Sequence, residues 1–488
     1  MPINTLGAGF FAVYLVLMLA IGWLASRNQN SSEDFLVAGR SIGLGVLIIG
    51  NVAAMIHGGA IVSHVGLAAQ VGGVAVTTSL SYALGFAVIL MVYAKKLRKS
   101  GGMTLPDYLA YRFNSRALRG WSAIIIAFTS VLYLVGQINV MGFILQSLIG
   151  LPTFWGKLLG TFIFVAYVAM GGLRAVMWTN IAQFVVMWLA LICLVPVINQ
   201  AIGSWSELLV SVEQKAPGWT SVQGTTWDWR FLLSWYILVF VGYSTRMELV
   251  TKLFAARDIR VARWSIPATA FLMIGFLLFG GLYLGAAARV LVWDQITTPD
   301  QAFPMLVALL AGPWISAFVF TAVASATMST TDSLLLMSGA SISHDLIRKC
   351  FHEPFGITRS ESYYLQIIRY TTVIVGLLAF LLSLMNLGLI WQIVSYAFAV
   401  MAAAFFFPLI AGMLSKLTSA KAALLSSIFG TVVTVVWTAF TITKADWALV
   451  THPVMPGILT SGIVLAAVQY FSVRNNARPL EKILGSQS

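Results

Sequence analysis

The chain has 488 residues, 59% hydrophobic and only 9% charged, with a mean hydropathy of +0.90 and a net charge of +13. Soluble proteins carry about 25% charged residues, so this composition excludes a large soluble enzyme or binding domain. A surplus of Lys and Arg suggests nucleic acid in a soluble protein, but here it gathers between apolar runs, where it sets membrane topology.

No Asp, Glu, Lys or Arg occurs between Arg119 and Lys157, between Arg174 and Glu207, or between Arg369 and Lys416. One span needs about 20 apolar residues, so the last run holds two helices, with a break near Asn386 and Gly388. Thirteen spans are predicted, near 6–25, 42–68, 73–94, 120–149, 155–173, 177–200, 231–251, 264–288, 304–340, 367–386, 389–413, 422–442 and 454–473. The first has no basic leader and reads as a retained span, not a cleaved signal peptide. With the N-terminus outside and the C-terminus cytoplasmic, Lys157, Lys215, Arg230, Arg289 and Lys444 face outward and nearly all other basic residues face inward. Arg246 falls near a span end, where a long cation is expected to reach the interface. The segment from Leu105 to Arg119 reads as a short amphipathic cytoplasmic helix. Residues 1–488 therefore form one all-α transmembrane domain, with no loop long enough for a soluble domain. Cys193 is expected mid-span and Cys350 in a cytoplasmic loop, so no disulfide is expected.

The second span is irregular. Gly43, Gly45 and Gly50 precede Asn51, and Ile56-His57-Gly58-Gly59 follows. Glycine costs about 1 kcal/mol against alanine inside a helix. Two readings fit: a packing face of small residues, or a broken helix whose backbone lines a ligand site. The seventh span echoes it through Gly242-Tyr243-Ser244-Thr245-Arg246. Five spans separate the two, a spacing that suits inverted five-helix repeats over 42–200 and 231–413.

The ninth span carries Ser325, Thr327, Ser329, Thr330, Thr331, Asp332 and Ser333 within twelve residues. Ser329, Thr330 and Ser333 share a face, with the Ala326 carbonyl one turn earlier. Hydroxyls and carbonyls can ligate a hard cation, although such residues also serve as helix–helix glue. An acid at mid-membrane costs about 2.5–3.5 kcal/mol on insertion scales, so Asp332 needs a reason to be there. Metal-ligand His pairs, phosphate loops and catalytic triads are missing, and no enzymatic activity is expected.

Phe35 to Gly43, the run from Gly171-Gly172-Leu173-Arg174 to Gln183, Phe254-Ala255-Ala256-Arg257-Asp258 and Ala326-Thr327-Met328-Ser329-Thr330 resemble motifs of the solute:sodium symporters. That family includes carriers of proline, sialic acid, pantothenate, monocarboxylates and sugars. The resemblance implies the leucine-transporter fold: thirteen helices and two inverted five-helix repeats. It also implies Na+ held by the carbonyls of Ala53, Ile56 and Ala326 and the hydroxyls of Ser329 and Thr330. Solute would sit beside Met55, His57, Ala60, Gln137 and Tyr243, with Ser79, Trp391 and Tyr396 as further neighbours. Asn180 stands where many members have Asp, which makes Asn180, Asp332 and Ser333 a possible second-ion region. The usual Gly-x-Pro is absent around Thr245-Arg246-Met247.

The function expected is sodium-coupled uptake of a small organic solute, an organic acid, amino acid or vitamin-like anion, by alternating access. The partners expected are the solute, Na+ and the lipid of the cell inner membrane, with the chain acting as a monomer and no nucleic acid bound. A proton-coupled carrier, using Asp332 or His57, and a channel or sensor are the alternatives.

Overall fold

The computed structural model describes residues 4–26, 31–221, 224, 228–385, 387–415 and 417–484. Apolar runs this long satisfy their backbone internally only as helices, and the architecture is all-α. In chain order the main helices are α1 (Thr5–Ser26), α2 (Leu44–Met55), α3 (Gly58–Val71), α4 (Val74–Ser100), α5 (Leu105–Phe113), α6 (Arg116–Ile149) and α7 (Thr153–Ile202). They continue as α8 (Trp229–Gly242), α9 (Met247–Ala255), α10 (Ile259–Leu277), α11 (Pro313–Ala340), α12 (Glu361–Ser383), α13 (Ile390–Leu414), α14 (Ala420–Ile442) and α15 (Val454–Leu484).

Among the described residues, nine helices are long and apolar enough to cross a membrane, and α2 with α3 makes a tenth as one span bent by 52°. The other three expected spans are helical but interrupted or polar. The first half of α7 ends at Gly172, whose φ of 52° and ψ of −177° break the helix. The seventh span is split into α8 and α9 by a turn at Tyr243–Thr245. The ninth is α11, which is rich in Ser and Thr. The helix expected from Leu105 to Arg119 stops at Asn114, left-handed at φ 47°, and α6 starts afresh at Arg116. Between α12 and α13 the expected break falls at Gly388 (φ 117°); Asn386 lies outside the described residues.

Large apolar side chains such as Phe162, Phe271 and Ile463 are exposed on the outer faces, while Asn51, Asn180, Arg246, Lys252, Ser329 and Asp332 are buried. This inside-out polarity is what a lipid-facing bundle requires. The two broken elements meet end to end. Ile42 N donates to Ala255 O at 3.2 Å and Arg257 N donates to Ile42 O at 2.9 Å, tying the approach to α2 to the end of α9.

Beyond α11 and outside the apolar spans, a charged cluster joins α5, α6 and residues 341–352. Asp107 contacts His344 at 3.1 Å, and Arg119 bridges Asp107 and Asp345. Thr104 Oγ1 donates to Asp345 Oδ1 at 3.0 Å. Burial and the neighbouring Asp107 carboxylate push Asp345 up to about 7, against the charges of His344 and Arg119.

Candidate functional site

The break between α2 and α3 falls at Ile56 (φ −93°, ψ 79°) and His57 (φ −96°, ψ 164°). Ile56 N still closes on Val52 O at 2.8 Å. Residue 57, which in an unbroken helix would donate to Ala53, is instead extended, and α3 restarts with His57 as its cap: Nδ1 accepts from Ala60 N at 2.9 Å. Gly58 sets how close this joint comes to α11, since a Cβ there would lie 1.9 Å from Thr327 Oγ1 and 2.7 Å from Val323 O.

That close approach puts the freed carbonyl end of α2 against the hydroxyls of α11. Ser329 Oγ lies 2.8 Å from Ala53 O and 2.7 Å from Ala326 O. A hydroxyl has one proton, so it can satisfy only one of these carbonyls through its own hydrogen bond. Three oxygens sharing one proton leave surplus lone pairs, the donor set that a hard cation takes. Thr330 Oγ1 reaches the next carbonyl, Ala54 O, at 3.0 Å. Ala53, Ala326, Ser329 and Thr330 thus lie together, the positions the family resemblance implies, with Ile56 buried at the break itself.

A cavity of about 40 Å³ opens beside the joint, lined by His57, Ala60, Ser63, His64, Trp235, Trp391 and Phe398 among others. His57, Ala60 and Trp391 were expected there. Gln137 is buried and reaches the site through His57, its Nε2 lying 3.1 Å from Nδ1. Nδ1 accepts the Ala60 amide, so a neutral His57 carries its proton on Nε2. Met55 is buried at the last turn of α2 and does not line the cavity. Tyr396 lines a separate recess of about 740 Å³, with Lys157, Asp300 and Lys444. The side chains of Tyr243 and Ser79 lie outside the described residues. Trp235 and Phe398 were not anticipated; an aromatic residue on an apolar helix carries no local mark of facing a cavity.

Two basic residues correct the topology reading. Arg246, expected at the interface, is buried; so is Lys252, counted among the cytoplasmic charges. The turn between α8 and α9 carries both inward. Arg246 pairs with buried Glu248 and donates from Nη2 to Ala54 O at 3.1 Å, and Lys252 Nζ donates to Gly50 O at 2.7 Å. Ala54 lies in the last turn of α2, so its carbonyl offers Arg246 the partial negative charge of a helix C-terminus.

In the second-ion region, Asn180 on α7 and Asp332 on α11 are buried on helices that pack together. Neither side chain has a hydrogen-bond partner among the described residues. Ser333 Oγ donates to Ser329 O at 3.3 Å, within α11 itself.

The sequence profile of the Sodium:solute symporter family matches residues 35–430. The osmoregulated proline transporter OpuE of Bacillus subtilis is 24% identical, with 93% of each chain covered. The sodium/proline symporter of Salmonella typhimurium is 26% identical over 95% of this chain and 93% of its own. Among solved structures, a Na+-coupled sialic acid symporter in a substrate-bound outward-open state superposes with a TM-score of 0.78 at 15% identity, covering 96% of this chain and 97% of that one. A nucleobase-cation-symport-1 family transporter follows at 0.55 and 15% identity, with 93% and 96% covered. The relatives are transporters rather than enzymes, and with a broken helix set against a hydroxyl-rich one inside a multi-pass bundle, the chain belongs to the sodium:solute symporter family.

Proposed function

We propose that this protein uses inward sodium flow to carry a small carboxylate-bearing solute across the cell inner membrane, one sodium per solute, as a monomer. Sodium would bind the Ala53, Ile56 and Ala326 carbonyls and the Ser329 and Thr330 hydroxyls, with the solute between His57, Ala60, Gln137 and Tyr243. The remaining frame of the proposal is thirteen helices, N-terminus outside, in two inverted repeats over 42–200 and 231–413. The observation that carries it is the Ser329 hydroxyl, shared by a carbonyl from each of two helices beside a small cavity. A cation there ties the broken helix to α11 in one conformation, and coupling is the resulting difference in affinity between states.

The solute class rests on the cavity. Trp235, Trp391 and Phe398 supply apolar rings, and His57, Ser63 and Ser395 supply polar groups, a lining that suits a small molecule with one polar end, although a cavity of about 40 Å³ must widen to admit one. Relatives are named for proline and sialic acid, both carboxylates. The test is uptake into proteoliposomes under an imposed sodium gradient, screened across small carboxylates, amino acids and sugars. Accumulation above equilibrium that collapses with the gradient supports the proposal. Flux that never exceeds equilibrium would make the protein a channel. The buried Asp332, whose carboxylate has no hydrogen-bond partner among the described residues, supports a second reading, proton coupling; accumulation driven by a pH gradient without sodium would favour it.

A further inference from the structure

We infer that Arg246 is the positioning residue that transmits sodium binding to the wall of the solute cavity, an inference that rests on the sodium site and cavity proposed above. Its Nη2 donates to Ala54 O at 3.1 Å, the carbonyl that also accepts from Thr330 Oγ1 at 3.0 Å. The same nitrogen donates to Tyr133 Oη at 3.0 Å. The guanidinium carbon lies 4.9 Å from the centre of the Phe398 ring and 5.5 Å from that of Tyr133. Tyr133 in turn meets Phe398 edge-on at 5.1 Å and His57 at 5.4 Å. Phe398 and His57 line the cavity. One side chain therefore touches the peptide adjoining the Ala53 carbonyl on one side and the aromatic wall on the other.

The backbone makes this contact sensitive to motion. Arg246 is the extended residue (φ −64°, ψ 119°) at the joint between α8 and α9, and Ala54 sits in the last turn before the break between α2 and α3. A shift of either broken helix moves one end of the link. Sodium drawn between Ala53 O and Ser329 Oγ fixes the α2 end, and the next carbonyl along, Ala54, is fixed with it. Arg246 then has a set anchor and holds Tyr133 and Phe398 in place. Glu248 supplies the countercharge that lets the cation stay buried. The planar fork of arginine can serve two acceptors while lying against rings, a geometry that a lysine ammonium does not reproduce.

Hydrogen exchange of the full-length protein in lipid nanodiscs, with sodium chloride against choline chloride as the only variable, tests this without knowing the solute. In the wild type, sodium should slow exchange by about fivefold or more in two places. One is the ion cluster, peptides covering 50–57 and 324–333; the other is the cavity wall, peptides covering 130–138 and 391–400. In Arg246→Lys, slowing should persist at the cluster and fall below about twofold at the wall. The charge-balanced pair Arg246→Gln with Glu248→Gln should behave likewise, which covers the case in which Arg246→Lys fails to fold. Slowing retained at both places in the variants overturns the inference, as does a wild-type wall that ignores sodium. Loss at both places together means that Arg246 only holds the fold, which also overturns it. No sodium effect at the cluster in the wild type sinks the sodium site itself, a result distinct from the others.

Discussion

Replacing Ser329 and Thr330 together by alanine removes two of the five oxygens proposed for sodium while leaving all three carbonyls in place. Ser329 Oγ is the atom that lies within 2.8 Å of both Ala53 O and Ala326 O, and Thr330 Oγ1 holds Ala54 O at 3.0 Å. Without them, two carbonyl ends face each other across the joint with no hydroxyl between. The apparent sodium affinity should fall at least about tenfold, or about 1.4 kcal/mol. At a sodium concentration of about 100 times the wild-type Kd, binding stabilises the folded state by about 2.7 kcal/mol, and after a tenfold weakening the same concentration contributes about 1.4 kcal/mol. The lost hydroxyl bonds also matter without sodium, at about 1 kcal/mol each, so the variant should melt lower in choline too. The diagnostic quantity is the sodium-minus-choline difference, read by thermal unfolding of purified protein across a sodium titration at constant ionic strength. A folded double variant whose difference matches the wild type at every sodium concentration refutes the ion-site assignment.

Three further outcomes are expected. His57→Asn keeps a cap for Ala60 N, so it should retain sodium-induced stabilisation but bind solute at least about tenfold more weakly; His57→Ala should lose about 1 kcal/mol of stability in addition. Equal losses of sodium response and solute binding in His57→Asn would assign the ring a structural role only. Paired tracer fluxes should show one sodium per solute, because Asn180 offers a neutral oxygen where an ion attracts a carboxylate far more strongly; a ratio near two that drops to one in Asp332→Asn would show that Asp332 supplies the missing charge. Asp345, raised to about 7 in the fold against about 3.9 in an unfolded chain, stabilises fully only below pH 4, and that contribution is lost as pH rises towards 7. Asp345→Asn cannot ionise, so its melting temperature should fall less than that of the wild type between about pH 4 and 7 and exceed it above pH 7; parallel profiles would remove Asp345 from the account.

Much of this protein is decided by its sequence alone. Uncharged runs such as 120–156 and 370–415 leave a chain in lipid no option but helices, and basic loops order them. The density of hydroxyls from Ser325 to Ser333 marks α11 as a helix that cannot face lipid. Gly58-Gly59 after His57 marks the second span as irregular, because glycine and a polar ring together are costly in a continuous helix, but a small-residue packing face fitted as well as a break until the structure showed the break. The carbonyl at Ala53 was legible only through motif resemblance, since a backbone oxygen leaves no signature in residue type.

What the tertiary structure decided is where the charges go. Arg246 and Lys252 sit near a predicted span end, and sequence distance along a helix cannot distinguish a cation reaching towards the interface from one turned inward. The turn at Tyr243–Thr245 settles the direction by re-aiming α9 at the carbonyl end of α2. The same holds for the cavity: Trp235 and Phe398 are more than 150 residues apart in sequence, and they share a wall only because α8 and α13 pack together. Periodicity reports which face of a helix is buried, but the partner across that face is set by packing between segments, and this chain's site is built almost entirely across such contacts.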